Sequence, residues 1–268
     1  MTIRSILGLA RRKALCSFYA RTVSLGDRGP IISFTFDDFP RTALTVGARV
    51  LEDAGARGTY YVAFRLMGTH DELGEQFRVE DIHDLRDRGH ELGSQTFSHW
   101  SCRSKSHSDY CQDVRRGLAA VREVTGQNCS NFSYPFGHVT LRTKKTLPAV
   151  VTSCRSVIPG LNGPIVDLAL LRANRIYGER DQLRVAEQLI QENLKRRSWL
   201  IFYTHDIRQN PSPYGCTPAL FEATVTAAAR SGSRILAVEQ VLRELGVKAQ
   251  QPIRGAALAA TALQDGSL

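Results

Sequence analysis

Ile31-Ile32-Ser33-Phe34-Thr35-Phe36-Asp37-Asp38-Phe39-Pro40 is a run of β-branched and aromatic residues that ends in two adjacent carboxylates and a proline. Such a run predicts a buried strand that delivers Asp37 and Asp38 to a loop at its C-terminal end. In α/β enzymes that edge of the sheet carries the chemistry. Two neighbouring carboxylates repel and favour a metal, a shared proton or a cationic partner, so the pair points to a metal-dependent hydrolase. A solvated Asp-Asp turn is the alternative that the stretch alone leaves open.

Outward from this stretch, strand and helix patterns alternate. Thr42 to Ala54 has helical periodicity and is closed by Gly55, and Gly58 to Phe64 reads as a second strand, so the first three elements form a βαβ unit of a parallel sheet. Further helices are expected at Glu80–Arg88, Asp109–Thr125, Asp181–Arg197, Thr217–Ser231 and Glu239–Leu245. Further strands are expected at His90–Thr96, Asn131–Gly137, Ala149–Cys154, Ser198–Thr204 and Arg234–Val238, with a possible edge strand within Asp167–Ile176. This order predicts one parallel α/β barrel or sheet over residues 30–245. A basic amphipathic N-terminal segment, 1–29, precedes it and an Ala-rich tail, 246–268, follows it.

The 268 residues carry a formal charge of +9, which attracts anionic polymers or an anionic membrane surface. The basic residues are scattered and no nucleic-acid-reading motif accompanies them, which argues against a nucleic-acid partner. The apolar run near the N-terminus is interrupted by Arg11-Arg12-Lys13, unlike a secretory signal, and no stretch reaches the roughly 20 apolar residues of a membrane span. The expectation is a cytoplasmic protein whose N-terminal helix packs on the domain or touches an anionic membrane surface peripherally. Six cysteines lack Cys-x-x-Cys spacing, so a structural zinc knuckle is not expected; a Cys102–Cys111 disulfide stays open.

Polar strand ends recur at Asp37-Asp38, at Gln95 to His99 and at Thr204-His205-Asp206. In a barrel such ends meet on one face. Thr35-Phe36-Asp37-Asp38, Gly89 through His99, Phe132-Ser133-Tyr134-Pro135-Phe136-Gly137, Asp167 through Arg175 and Ile201 through Asp206 resemble, in order, the five motifs of the polysaccharide deacetylase family, also called the NodB-homology or carbohydrate esterase family 4 fold. The resemblance spans roughly Pro30 to Leu245 and implies a distorted (β/α) barrel that hydrolyses N-acetyl, or less often O-acetyl, groups on sugars.

By that resemblance Asp37 is the general base, Asp38 and His99 hold a divalent metal, most often zinc, the Phe136 backbone N–H serves the oxyanion, and His205 is the general acid. Tyr134, Pro135, Trp100 and Tyr214 are candidate sugar contacts. Asp206 either orients His205 or caps the next turn. The chain departs from the pattern twice. Gln95 stands where the family has its first metal histidine, and an amide oxygen is a weaker zinc ligand than imidazole. Three outcomes follow: a weakened metal site of Asp38, Gln95 and His99; rescue by His90, His107 or His138; or loss of metal and activity, leaving a protein that binds a glycan or a partner. A relative that hydrolyses non-sugar amides is a further alternative. Ser133 stands where many members have an Arg paired with the base, and Arg172 or Arg175 either supplies that charge from the next strand or is a solvated strand-end cation.

Overall fold

The structure is a computed structural model that describes residue 8 and residues 12–250. Its centre is a curled parallel sheet formed by β2 (Ile31–Asp37), β3 (Thr59–Val62), β6 (Glu91–Ser94), β7 (Asn131–Ser133), β8 (Ser153–Arg155), β10 (Asn174–Arg175) and β11 (Trp199–Thr204). The strand order is β10-β11-β2-β3-β6-β7-β8, and β12 (Arg234–Ile235) pairs with the start of β2. A parallel bridge between Arg155 and Leu171, just ahead of β10, brings the two ends of this path together, which gives the distorted barrel. Two small antiparallel pairs are added: β1 (Thr22–Ser24) with β9 (Ile165–Asp167), and the tight hairpin of β4 (His70–Asp71) with β5 (Gly74–Glu75).

Residues on each strand alternate between two environments. On β2 and β11, Ile32, Phe34, Phe36, Leu200 and Phe202 face outward and pack on Leu220, Phe221 and Val225 of the helix Pro218–Arg230. The opposite face points into the barrel and is largely polar. Its lower layer holds Thr59, Glu91, Asn131 and Ser153, hydrogen-bonded to one another. Its upper layer holds Asp37, Tyr61, Ser133, Arg155 and Tyr203, and Gly93 leaves the room that Tyr61 fills, since a Cβ there would lie 2.5 Å from the ring. Layered filling of this kind makes the barrel a packed core with the site on top.

Glu91 anchors the lower layer: its carboxylate accepts from Thr59 Oγ1 and the Glu239 N–H, both at 2.8 Å, and from Asn131 Nδ2. Burial outweighs these bonds and pushes its carboxyl up to about 7. The folded value lies above the unfolded one, so the stabilisation is full below about pH 4.5 and is lost as pH rises through 7. Denaturant titrations are expected to show stability falling by up to about 3 kcal/mol between pH 5 and 8, with a flatter profile in Glu91→Gln.

Several expectations shift. Residues 22–29, assigned above to an N-terminal segment, are built into the fold through β1 and the fully buried Leu25. The Ala149–Cys154 strand begins later, because Pro148 lies in a 3₁₀ turn, Leu147–Ala149, and β8 runs from Ser153 to Arg155. A helix absent from the sequence reading, Leu141–Thr146, is capped by the Thr140 side chain. Val238 opens the last helix, Val238–Glu244, instead of closing a strand. No Cys102–Cys111 disulfide occurs among the described residues. The tail reading for residues 251–268 and the helix reading for residues 1–7 and 9–11 lie outside the described residues. No helix among the described residues is long and apolar enough to cross a membrane.

Candidate active site

The upper layer and the loops above it enclose a cavity of about 390 Å³, within the usual ~300–1,000 Å³ range of small-molecule sites. Asp37, Asp38, Gln95, His99, Tyr134, Phe136, His205 and Tyr214 line it, so strand ends far apart in sequence do converge. Among the described residues, seven non-glycine residues have positive φ, and five of them are Asp38, Phe39, Thr96, His99 and Phe136. Left-handed backbone is costly for such side chains and persists where the surroundings over-determine it. Here it turns Asp38 and His99 toward each other.

Asp38 Oδ1 and His99 Nε2 lie 3.0 Å apart. Both atoms are buried, yet neither has a hydrogen-bond partner, so the pair is close without being aligned as donor and acceptor. Burial favours neutral forms, but the attraction between the two groups prevails, holding the Asp38 carboxyl below its ordinary value and the His99 imidazole above it. A buried carboxylate oxygen and imidazole nitrogen converging in this way suit a divalent cation that displaces the imidazole proton. Gln95, 2% exposed, also lines the cavity and is the candidate third donor, but its Oε1 accepts the Asp38 backbone N–H at 3.2 Å. The donor set is therefore one carboxylate, one imidazole and one amide oxygen. It fits a divalent metal, with less affinity for zinc than an aspartate with two histidines. No group of three His, Cys, Asp or Glu side chains suited to a metal occurs among the described residues.

The proposed rescuers are elsewhere. His90 Nδ1 accepts from the Gly58 N–H at 3.0 Å and its Nε2 faces Glu52 at 2.9 Å, below the sheet edge that bears the site. His107 contacts Cys111 and Thr146, and His138 Nδ1 pairs with Ser101 Oγ at 2.7 Å.

Asp37 is 3% exposed and ion-paired with Arg155 Nη2. Arg155 corrects the expectation for Arg172 and Arg175: Arg172 donates to the Pro159 carbonyl and contacts Cys16, while Arg175 lies over the Tyr177 ring. Arg155 is fully buried, with its guanidinium about 5 Å from the Tyr61 and Tyr203 ring centroids and Nη2 donating to Ser133 Oγ. Register explains the reach: Arg155 pairs with Ser133 across β7 and β8, and the short serine side chain leaves the space the guanidinium crosses.

His205 Nε2 faces Asp38 Oδ2 at 3.9 Å, and its Nδ1 lies 3.1 Å from the Tyr214 carbonyl. A carbonyl only accepts, so Nδ1 carries the hydrogen and Nε2 faces the cavity. Tyr214 thus orients His205 and Asp206 does not. The fully buried Asp206 carboxylate accepts from Ser212 N–H and Oγ and pairs with Arg208 at 2.8 Å, ordering the loop that carries Tyr214. Gly215 is required there, since a Cβ would stand 2.3 Å from Asp206 Oδ1.

Among the candidate sugar contacts, Tyr214 is 46% exposed on the rim, where Phe136, 60% exposed, also stands. Tyr134 lines the floor, with its hydroxyl donating to the Ala169 carbonyl. Pro135 is buried in the turn, and Trp100 lies under Lys105 instead of lining the cavity. Sequence reasoning missed the β4–β5 turn, where Glu72 and Leu73 line the mouth and Arg208 Nη2 donates to the Glu72 carbonyl at 2.7 Å. The run Asp71-Glu72-Leu73-Gly74 carried the turn signal.

A polysaccharide deacetylase family model matches residues 26–150, which include Asp37, Asp38, Gln95, His99 and Phe136 but not His205. No curated protein matches the sequence. Among solved structures, the carbohydrate esterase domain of a multidomain xylanase from the hindgut metagenome of Trinervitermes trinervoides is 15% identical, with 84% of this chain and 95% of that chain covered and a TM-score of 0.56. A family 4 acetyl xylan esterase from Clostridium thermocellum, solved in complex with a cobalt ion, is 16% identical over 82% and 93% of the two chains, with a TM-score of 0.54. A family 4 pseudoenzyme from Bacillus anthracis is 11% identical over 81% and 66%, with a TM-score of 0.53. At these identities the structures share the fold. Residues 26–150 thus match the polysaccharide deacetylase family model, and the chain shares the NodB-type barrel fold of the family 4 carbohydrate esterase structures.

Proposed function

We propose that the chain is a metal-dependent hydrolase that removes acetyl groups from N-acetylated sugars. The observation that carries this reading is the convergence of the unbonded Asp38 Oδ1 and His99 Nε2 beside the Asp37–Arg155 pair and the oriented His205. Asp38, His99 and Gln95 would hold a divalent cation, zinc or a harder ion. Such a cation, when bound, polarises the acetyl carbonyl and acidifies water. Asp37, held by Arg155, takes the proton of the water whose oxygen attacks the acetyl carbon. Phe136 sits at φ 57 and, among the described residues, its N–H makes no backbone hydrogen bond, which leaves it to donate to the developing oxyanion. His205 Nε2 gives a proton to the amine nitrogen as the C–N bond breaks, so acetate and the free amine leave and solvent resets both groups. Tyr214 and Phe136 offer faces for the sugar ring.

Acetate release from N-acetyl chito-oligomers after zinc or cobalt loading tests the reading. In an active protein, His205→Gln is expected to lower kcat about 10²- to 10⁴-fold, the usual contribution of a positioned acid. No acetate from any acetylated oligomer in the metal-loaded protein overturns it. A second reading, a glycan binder without hydrolysis, is favoured by Gln95 Oε1 being engaged by the Asp38 N–H and by the pseudoenzyme among structures of the same fold. Oligomer binding without acetate release would select it.

A further inference from the structure

Residues 1–26 and 124–166 are the two longest stretches of the chain without Asp or Glu, and the fold packs described parts of both together. Residues 12–17 are helical, and Leu15 is buried in the cluster that contains Val139, Leu147 and Val151. Lys144 Nζ donates to the Leu15 carbonyl at 2.6 Å, and Lys145 Nζ lies 5.4 Å from the Tyr19 ring centroid. Lys144 itself is buried and neutralised by Asp167.

On the outside of this junction stand Phe18, Tyr19 and Leu141, exposed by 56%, 49% and 38%. They are three of the eight large apolar side chains so exposed among the described residues, and neither of the two on the cavity rim is among them. Tyr19 is held at φ 54, an unfavourable backbone for an aromatic residue, which keeps its ring on the outer face beneath Lys145. Leu141 and Lys145 are four residues apart on one helix and share its face. Arg12, Lys13, Arg142 and Lys145 are exposed on the same two helical segments; Arg12 Nη2 donates to the Pro159 carbonyl at 3.3 Å, and none of the four is ion-paired with a described carboxylate.

We propose that this face docks onto an anionic lipid surface. Phe18, Tyr19 and Leu141 enter the headgroup region while the four cations face lipid phosphates, the combination that holds a peripheral protein on a bilayer. Nucleic acid is the less suited anion, because Leu141 offers nothing to a phosphate or a base, whereas a bilayer takes up Leu141 together with Phe18 and Tyr19. Each cation at an anionic surface contributes roughly a fivefold gain in partitioning. The proposal does not rest on the catalytic reading, since none of these residues lines the cavity.

The test is co-sedimentation of the full chain with large unilamellar vesicles of phosphatidylcholine alone or with 30% phosphatidylglycerol, at low and high salt. The expected result is partitioning into the anionic vesicles only, lost at high salt, reduced roughly 100-fold or more by Lys13→Glu/Arg142→Glu/Lys145→Glu and severalfold by Phe18→Ser/Tyr19→Asn. Circular dichroism checks that both variants stay folded; should either unfold, Lys13→Gln/Lys145→Gln replaces it in the same assay. Three outcomes overturn the proposal: no partitioning of the wild type, equal partitioning of the charge variant, or tighter binding to single-stranded RNA that the same substitutions abolish.

Discussion

Gln95→His raises the zinc affinity of the purified protein roughly 100-fold, as read by competition with a chromophoric chelator. The figure follows from the structure of the site. Asp38 Oδ1 and His99 Nε2 are 3.0 Å apart, buried and without hydrogen-bond partners, so two of the three proposed donors already lie together. The third, Gln95 Oε1, must leave the Asp38 N–H before it can face a cation. An imidazole at this position adds a nitrogen donor better matched to zinc, and even losses of outer-sphere support at zinc sites change affinity by roughly 10–100-fold. Freeing the Asp38 N–H is a cost, but that group lies in the left-handed turn at φ 61 beside the cavity, where water can take it. If affinity does not change, position 95 is not a ligand position. The same variant also sorts the two functional readings: a gain in acetate release along with the gain in metal marks Gln95 as the one defect of an otherwise complete site.

Arg155→Met destabilises the protein by about 3–5 kcal/mol, measured by denaturant unfolding at neutral pH, because removing one partner of a buried ion pair leaves the other charge uncompensated. Arg155 is fully buried and Asp37 is 3% exposed, so water cannot replace the guanidinium. The double variant Asp37→Asn/Arg155→Met is expected to recover most of that loss, since two neutral side chains can share the space beside Ser133. Arg172→Met or Arg175→Met changes stability by less than about 1 kcal/mol, as neither guanidinium is buried in an ion pair. Equal losses in all three single variants would contradict the assignment of Arg155 as the partner of Asp37.

Arg155 also shows why part of the site was hidden in the sequence. Its neighbours, Val150 and Val151, look like the body of a strand, but Pro148 forces a 3₁₀ turn and the ladder starts only at Ser153. With that start, period-two alternation sends Ser153 and Arg155 into the barrel and Cys154 outward. A shift of the boundary by a few residues therefore decides whether an arginine reads as a loop cation or as the buried partner of Asp37. The partner of His205 was hidden for a similar reason. Nearness in sequence favoured Asp206 as the partner of His205, but the polypeptide turns through the Ser212 region and returns a backbone carbonyl to the imidazole. A carbonyl carries no residue signature, so no reading of side-chain types could have found it.

The run from Ile31 to Pro40 was sufficient to place Asp37 and Asp38 at a strand end, because alternation of large apolar residues with Ser33, Thr35 and Asp37 separates a helix-facing side from a barrel-facing one. Strand order in the chain, the parallel sheet, and the strand ends bearing His99 and His205 were legible on the same physics of periodicity and turn residues. What only the tertiary structure decided was pairing across the barrel: Arg155 with Asp37, the Tyr214 carbonyl with His205, Asp38 with His99 through left-handed backbone, and the Glu72 turn over the mouth. Periodicity specifies which way a side chain points. Its partner depends on sheet curvature and register, which are set by contacts between residues more than a hundred positions apart, such as Asp37 and Arg155.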